Sequence, residues 1–270
     1  MSQPWTDAAQ PPGTPPSPPL RTTVLVAHPA DEIFGLGGQL AQIGALTLVH
    51  VTDGAPRELA SAQRASFGSR DSYAQARARE FDRALAAAGV RHARSRELGI
   101  NEQEATHHLA DLVKLLIGEL AHADVILTHP YEGGHPDHDA CAFVVQAACT
   151  ARWLMGAATP QRLEFACYHA RDGRLAAGRF WEAPGCPERV VALDDGQLTA
   201  KRAALAELVI QNTRLGAGPA DVERLRRAPS YDFGRPPPPL EVFYERNGGG
   251  MNGALWRSQA QRALRALGLD

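Results

Sequence analysis

The sequence lacks several features that mark particular classes of protein. Only two of its 28 basic residues are lysines, Lys114 and Lys201, which leaves little room for chemistry built on a lysine, such as a Schiff base or a phosphate-binding P-loop. No apolar run approaches the ~20 residues that a membrane-spanning helix needs. The formal net charge of −2 gives no electrostatic argument for binding nucleic acid or an anionic membrane. These deficits favour a soluble enzyme, and its ten histidines are the main candidates for catalytic or metal-binding residues.

Cysteine is also scarce, with four in 270 residues and no CxxC pair. That number is too low for a disulfide scaffold, so we expect free thiols, with Cys141 and Cys149 buried on a helix. Seven prolines fall within the first twenty residues, which contain neither the basic nor the apolar region of a secretory signal. We therefore interpret residues 1–20 as a disordered Pro-rich tail, residues 21–270 as one domain, and the protein as cytoplasmic.

Strand-like and helix-like patterns alternate along the rest of the chain. Short apolar runs rich in β-branched residues are typical of strands buried on both faces of a parallel sheet. Such runs, with a weaker one at 94–98, predict strands over 22–27, 45–52, 94–98, 124–129, 163–169 and 189–193. Helical spacing predicts helices over 33–44, 72–88, 106–121, 137–155, 199–211 and 253–267, and 53–70 is interpreted as a polar loop. This alternation predicts an α/β fold whose mostly parallel sheet is flanked by helices.

Polar side chains follow three of the predicted strands. The first strand leads to His28 and Asp31, and the second leads to Asp53. The fourth ends at His129, and its loop leads to His138. Because ligands gather at the carboxyl ends of parallel strands, we expect these groups to converge. Two imidazoles and one carboxylate, from His28, Asp31 and His138, would form an open zinc-type site with a position left for water.

Each of these residues also has an ordinary structural interpretation. A loop histidine usually makes a hydrogen bond or a cap, and an aspartate between strand and helix is most often an N-cap. The GLGG sequence at 35–38 lacks the order of a dinucleotide-binding loop, so it favours close packing of helix on sheet. A nucleotide-binding protein is therefore a weaker alternative, and it predicts no metal. The presence of HPxD after one strand and HPDH after another argues against coincidence.

Two motifs carry a resemblance to a known family. AHPADE at 27–32 and HPDH at 135–138 resemble the two signatures of the PIG-L/LmbE-like zinc-dependent N-deacetylases, which include the GlcNAc-phosphatidylinositol de-N-acetylases. The similarity runs from Thr22 to Thr150, with VTDGA at 51–55 and YEGGHPDHDA at 131–140, and FYER at 243–246 resembles a bacterial branch. It implies a Rossmann-like fold, Zn²⁺ or another divalent metal, and hydrolysis of an N-acyl amide. The expected substrate is N-acetylated, on an amino sugar or a related small metabolite.

The resemblance also implies a role for each motif residue. His28, Asp31 and His138 would hold the zinc. His135 would polarise the substrate carbonyl or stabilise the oxyanion of the tetrahedral intermediate. Asp137 would orient His135 from behind, a general pairing of imidazole with carboxylate.

One motif position departs from the family. Its first motif normally reads AHPDDE, and the first aspartate acts as general base; here that position is Ala30, and a methyl group cannot accept a proton. Three explanations stay open. Another group could take the proton, with Glu32, Asp53 and Glu132 as candidates, the latter two also for substrate binding. Alternatively the chain is a degenerate deacetylase that binds metal or ligand without fast turnover, or Ala30 is an engineered substitution.

Substrate recognition is expected from the loops at 53–70 and 210–250. Arg57, Arg64 and Arg70 in the first loop are able to bind a carboxylate or phosphate, although solvated charges on a mobile lid are the more ordinary interpretation. The expected partner is a small N-acylated molecule, with no nucleic acid and no membrane span. Amphipathic terminal helices also permit a homo-oligomer.

Overall fold

A seven-stranded sheet forms the centre of the computed structural model, which describes residues 18–210, 221–238, 240, 242–247 and 250–270. Residues 1–17 of the expected tail and parts of the loop at 210–250 lie outside the described residues. The strands are β1 (Arg21–Val26), β2 (Ala45–Pro56), β3 (Arg94–Glu102), β4 (Val125–Thr128), β5 (Gln161–Phe165), β6 (Tyr168–Arg171), β7 (Arg174–Ala177), β8 (Arg189–Ala192) and β9 (Val222–Arg227).

Helices cover both faces of this sheet. They are α1 (Asp31–Leu36), α2 (Ser61–Phe67), α3 (Arg70–Ala87), α4 (Leu109–Glu119), α5 (Pro136–Leu154), α6 (Asp195–Glu207) and α7 (Gly253–Leu267). Short 3₁₀ turns occur at Leu40–Gln42, Ala105–His108, Leu120–His122 and Phe243–Asn247. No helix in the described part of the chain is both long and apolar enough to cross a membrane.

The sheet order is β3–β2–β1–β4–β5–β9–β8. The first five strands in this order pair in parallel, whereas β9 and β8 are antiparallel. The predicted mostly parallel α/β fold is therefore confirmed. β1 pairs with β2 on one side and with β4 on the other. The strands that follow β1 are therefore added first on one side of it, as β2 and β3, and later on the other, as β4 and β5, although all five run in parallel. Such a switch point opens a crevice at the carboxyl ends of the two strands.

The apolar run of β1 is continuous because both of its faces are buried. Leu25 packs into a core shared with α4, α5 and α7. Its neighbours Val24 and Val26 point to the opposite face and pack with α1, α3 and α6. Alternate side chains of one strand thus join two separate cores, which is the pattern expected for a central parallel strand.

Several element boundaries differ from the sequence-based predictions. The segment 53–70 is not a loop throughout, because β2 continues to Pro56 alongside β3 and α2 occupies part of the remainder. The predicted helix over 33–44 stops at Leu36, where glycines allow close approach: a Cβ on Gly35 would lie 2.1 Å from Phe165 Cδ2. This contact confirms that GLGG serves packing of helix on sheet.

The antiparallel end of the molecule is where prediction was weakest. The run at 163–169 is two strands, because β5 ends at Phe165 and β6 begins a separate hairpin with β7. Neither β7 nor β9 was predicted. In β9, Glu223 and Arg226 are buried against Lys201 and Glu164, so charged residues occupy positions that would normally be apolar.

Candidate active site

Four histidines meet at the switch point of the sheet. His28 follows β1, His129 follows β4, and His135 and His138 lie at the start of α5. The rings of His129 and His138 stack with centroids 3.8 Å apart, and the centroids of His28 and His135 are 4.6 Å apart. We refer to these four residues together with Asp31 as the histidine cluster.

Asp31 lies at the centre of the histidine cluster. Its Oδ2 accepts a hydrogen bond from the main-chain N–H of His28 at 2.9 Å and lies 3.1 Å from His28 Nδ1. The same oxygen is 3.3 Å from His129 Nε2 and 3.4 Å from His138 Nε2. Burial by itself would raise the pKa of this carboxyl, but the charge of His28 and the other imidazoles around it hold it well below its usual range. Asp31 is therefore an anion in a pocket of imidazoles.

The donor set fits a divalent metal ion. Ligand atoms about 2.1 Å from a tetrahedral zinc lie roughly 3.3 Å apart, and Asp31 Oδ2 lies at 3.1 and 3.4 Å from nitrogens of His28 and His138. His138 Nε2 is buried and makes no hydrogen bond to any described residue. Burial, then the neighbouring His129, lowers the pKa of His138 to about 4. Its imidazole is thus neutral, which is the form that binds metals.

A second group of potential ligands overlaps the first. Nitrogens of His28, His135 and His138 lie within 4.8 Å of one another, and so do ligand atoms of His129, His138 and Cys167. Cys167 is a buried free thiol, as are Cys141 and Cys149, for which free thiols were expected. Burial raises the pKa of Cys167 well above its usual value, so the site holds a protonated thiol there, which is a poorer metal ligand than a thiolate.

Asp137 contacts His28 and the chain beyond β3. Its carboxylate accepts hydrogen bonds from the N–H of Gln103 at 2.6 Å and of Ala105 at 3.1 Å, and its Oδ2 lies 3.3 Å from His28 Nε2. The nearest approach to His135 Nδ1 is 3.9 Å, too long for a hydrogen bond. The carboxylate therefore orients His28, whereas the family resemblance implied that it would orient His135.

His135 is held by the main chain of the next turn. The N–H of Asp137 donates to His135 Nδ1 at 3.2 Å, so that His135 caps the N-terminus of α5. Burial and the nearby charge of His28 lower the pKa of His135 well below its usual value. Because Nδ1 accepts this hydrogen bond, the proton of the neutral ring is assigned to Nε2. Nε2 is thus a hydrogen-bond donor facing the site.

Ala30 precedes α1 in a left-handed conformation with φ of 87° and is buried. Its N–H donates to Glu32 Oε2 at 3.1 Å, and the other oxygen of Glu32 lies 2.8 Å from His50 Nε2. Glu32, which is fully buried, is therefore committed to His50 and to the backbone of the same turn. Both oxygens of Glu32, one of the three candidate bases, are thus used in hydrogen bonds with His50 and the Ala30 amide.

The other two candidate bases lie in separate environments. Asp53 binds Arg70 Nη2 at 2.6 Å. Glu132 accepts from the N–H of Trp181 at 2.9 Å and from Arg226 at 3.2 Å. The remaining loop arginines are paired too, Arg57 with Glu104 and Arg64 with Glu58.

Glu132 belongs to a second buried group of charges. Arg226 Nε also donates to Glu164 Oε2 at 2.9 Å, and the hydroxyl of Tyr231 donates to Glu164 Oε1 at 2.8 Å. We refer to Glu132, Glu164, Arg226 and Tyr231 as the arginine cluster. The sequence placed Glu132 near the metal ligands because it follows β4, but its side chain is bound into this other cluster.

Glu102 is a site residue that the sequence reasoning missed. It is the last residue of β3 and is only 5% exposed. Its Oε1 lies 3.8 Å from His135 Nε2, and its Oε2 lies 3.6 Å from Arg77 Nη1. The predicted third strand stopped at residue 98; extending it by four residues, to the observed end of β3, would have placed a carboxylate at the same edge of the sheet.

The comparisons with known proteins agree with this architecture. Residues 23–149 match the family model described as PIG-L, GlcNAc-PI de-N-acetylase. No curated protein sequence matches the chain significantly. The structure of the antimicrobial A40926 pseudoaglycone deacetylase Dbv21 has a TM-score of 0.56 at 17% identity, over 78% of this chain and 97% of that chain.

A second solved structure has the same fold. It is the zinc-inhibited form of the teicoplanin deacetylase Orf2, with a TM-score of 0.53 at 14% identity, over 77% of this chain and 100% of that chain. At such identities the structures establish the shared fold, and the similarity to a family comes from the sequence match. Residues 23–149, which match the PIG-L family model, supply the whole histidine cluster.

Proposed function

We propose that this protein is a zinc-dependent N-deacetylase that hydrolyses the N-acetyl group of an amino sugar or a related small molecule. The observation that carries the proposal is the spacing around Asp31, whose Oδ2 lies 3.1 and 3.4 Å from nitrogens of His28 and His138. The matched family is described as a GlcNAc-PI de-N-acetylase, which supports an N-acetylated amino sugar as the substrate class. Both similar structures are named as deacetylases, in agreement at the level of fold.

The residues divide the work as follows. His28, Asp31 and His138 would hold the metal, which would supply a Lewis acid for the amide carbonyl. His135 donates from Nε2 to the carbonyl oxygen and to the oxyanion that develops from it. Asp137 holds His28 in place through the contact at 3.3 Å. Binding of a divalent cation would require the imidazoles of His28 and His138 to be neutral, with Asp31 as the anionic ligand.

The rival function is a metal- or ligand-binding protein without fast turnover. Ala30 favours it, because the side chain at this position cannot accept a proton. The two functions make opposite predictions for release of a primary amine. They make the same prediction for metal binding, so both quantities must be measured.

The test uses the full chain loaded with Zn²⁺ and incubated with N-acetylglucosamine and its simple glycosides. We expect amine and acetate to appear in equal amounts, to stop when a chelator removes the metal, and to resume when Zn²⁺ is restored. His138→Ala should abolish stoichiometric metal binding and lower turnover by at least about 10³-fold, since the Lewis acid contributes several kcal/mol. His122→Ala, at an exposed histidine, is the matched control and should change neither quantity.

Two results would overturn the proposal. Absence of stoichiometric metal in the purified and reconstituted protein would reject a metal site altogether. Metal binding without amine release, in both the natural sequence and Ala30→Asp, would identify the chain as a binding protein.

A further inference from the structure

We propose that Glu102 is the general base of this chain, filling from β3 the proton-accepting role that the side chain of Ala30 cannot fill. The inference rests on the proposed deacetylase function. It assigns to Glu102 the removal of a proton from the attacking water and the return of that proton to the departing amine.

The need for such a group follows from the chemistry. Amide hydrolysis at neutral pH requires that water lose a proton as it attacks, and a positioned carboxylate contributes typically ~10²–10⁴-fold to that step. We compare four buried carboxylates that belong to the histidine cluster or lie near it, namely Asp31, Glu32, Glu102 and Asp137. The task is to decide which of them faces the space where substrate would react.

Three of the four are engaged in holding the site together. Asp31 has His28, His129 and His138 around one oxygen. Asp137 accepts from the amides of two residues beyond β3 and contacts His28. Glu32 bonds to the Ala30 amide and to His50. Protonating or moving any of these three would loosen the ligands themselves.

Glu102 has Arg77 as an ion-pair partner at Oε2, and its other oxygen faces the group proposed to bind the carbonyl oxygen. Its Oε1 lies 3.8 Å from His135 Nε2, which is beyond hydrogen-bond distance. A proton donor and a proton acceptor therefore border the same small volume without bonding to each other. Amide hydrolysis needs this combination, since the carbonyl oxygen must receive a hydrogen bond while the nucleophile gives up a proton.

The position of Glu102 is fixed from two sides. The next residue, Gln103, adopts a φ of 75° and donates its N–H to Asp137 at 2.6 Å, which ties the end of β3 to the first turn of α5. On the other side Arg77, which is buried, donates to the carbonyl of Gly54 and, at 3.3 Å, to the carbonyl of Pro29. Its Nη1 lies 3.6 Å from Glu102 Oε2.

Arg77 thus connects Glu102 to the turn that contains Ala30. Pro29 is the residue immediately before Ala30, so the same guanidinium touches the main chain of that turn and approaches the carboxylate. Arg77 therefore lies between the carboxylate of Glu102 and the main chain of the turn that carries the methyl group of Ala30.

The proton and electron balance is complete without a further reactant. Glu102 takes one proton from water while the water oxygen bonds to the carbonyl carbon, and the π pair of the carbonyl moves to its oxygen near His135. The carbon–nitrogen bond then breaks as Glu102 returns its proton to the nitrogen. The products are acetic acid and the free amine, and the carboxylate is regenerated.

The experiment compares Glu102→Gln with the natural sequence in the zinc-loaded full chain. We expect kcat to fall by ~10²–10⁴-fold with a small change in KM, and the zinc affinity measured by calorimetry to be unchanged. Glu97→Gln, at an exposed position on the same strand, removes the same charge and should leave kcat within twofold. Glu102→Asp retains the charge beside Arg77 but withdraws the carboxylate by one methylene, so it should fold and lose most of the activity.

A rescue experiment completes the test. Ala30→Asp introduced into Glu102→Gln should restore at least a tenth of the original kcat, because it supplies a carboxylate from the other side. If Glu102→Gln retains full activity, or if it loses zinc affinity in parallel with kcat, Glu102 is not the base although the deacetylase function stands. If the natural sequence is inactive and Ala30→Asp is active, the base is missing and the inference is wrong. If both are inactive, the proposed function itself is wrong.

Discussion

The histidine cluster and the arginine cluster are buried to a similar degree but differ in how fully their polar groups are satisfied. In the arginine cluster, Arg226 donates to Glu132, to Glu164 and to the carbonyl of Trp181, and its guanidinium lies 4.2 Å from the ring of Phe180. In the arginine cluster, Glu132 Oε2 has no hydrogen-bond partner among the described residues; in the histidine cluster, both His129 Nδ1 and His138 Nε2 have none, and one carboxylate faces three imidazoles.

This difference separates a structural cluster from a ligand site. A buried network in which each charge has a partner contributes order and resists change. A buried network with unpaired acceptors costs free energy unless something else binds to it. We therefore expect mutations in the arginine cluster to affect stability and mutations around the histidine cluster to affect metal binding and turnover.

The largest effect should come from Arg226→Met. Removing the guanidinium leaves two carboxylates buried without a cation, which typically costs about 3–5 kcal/mol. Urea unfolding followed by circular dichroism measures the loss, and turnover per folded molecule should be little changed. Arg227→Met, at the exposed neighbouring position, should shift stability by less than about 0.5 kcal/mol. Equal effects of the two substitutions would contradict the assignment of a structural role to the arginine cluster.

A smaller effect, confined to the other cluster, is expected from Asp137→Asn. The carboxylate lies 3.3 Å from His28 Nε2, and loss of such a partner typically lowers metal affinity by about 10–100-fold. Calorimetric titration with Zn²⁺ gives the value. Asp111→Asn, at an exposed carboxylate on α4, serves as control. An unchanged zinc affinity would mean that Asp137 acts only through the amides of Gln103 and Ala105.

The pH dependence of stability should report on the arginine cluster. Burial raises the pKa of Glu132 to about 8 and that of Glu164 to about 7, against 4.5 in the unfolded chain, despite the opposing charge of Arg226. A carboxyl with a raised pKa binds its proton more tightly when folded, so its contribution to stability is full below pH 4.5 and is lost as the pH rises to about 8. Because the two carboxyls share one arginine, we expect them to titrate together.

The measurement is the difference in Tm between the natural sequence and Glu132→Gln across pH 5 to 8. The variant cannot titrate at this position, so its Tm should fall less steeply over that interval. If the two curves of Tm against pH were parallel, Glu132 would not titrate between pH 5 and 8. The expectation that it is protonated in the folded arginine cluster would then be wrong.

The smallest effect concerns the backbone beside the metal ligands. Ala30 caps α1 with a φ of 87°, a conformation that costs an L-residue roughly 1–2 kcal/mol, and glycine is a better N-cap than alanine. Ala30→Gly relieves this strain but also removes one buried methyl group, which destabilises the protein. We expect the net effect to be a stabilisation of up to about 1 kcal/mol. Ala78→Gly, within α3, should destabilise it by about 1 kcal/mol. A loss of stability in both variants would show that packing of the Ala30 methyl outweighs the backbone strain.

The parts of the structure that the sequence predicted are those governed by short-range pattern. The apolar run at 22–27 became β1 with a shift of one residue, and the last helix began and ended at the predicted residues. The convergence of His28 and His138 followed from a general rule of parallel sheets. These inferences need no knowledge of which distant residue contacts which.

The parts that were missed depend on pairing over long separations. Arg226 interrupts the apolar pattern of β9, and only its partners Glu132 and Glu164, 94 and 62 residues away, explain why a charge can be buried there. Glu102 lay beyond the predicted end of β3 because Gly99 interrupts that segment with a φ of 72°. Whether Asp137 would meet His28 or His135 depended on side-chain directions that spacing along the chain does not determine.

The C-terminal helix has a consequence for what counts as the folding unit. Trp256 is fully buried and donates from its indole N–H to the carbonyl of Pro136, 120 residues earlier, at the turn between His135 and His138. During synthesis this contact forms only after α7 has emerged, when the segment matched at 23–149 has long been complete. A chain cut after residue 149 would leave Tyr131 and Phe143 without the indole that packs against them. We therefore expect that folding of this domain requires α7 as well as the segment that the family model matches. The same helix also keeps the turn between His135 and His138 rigid.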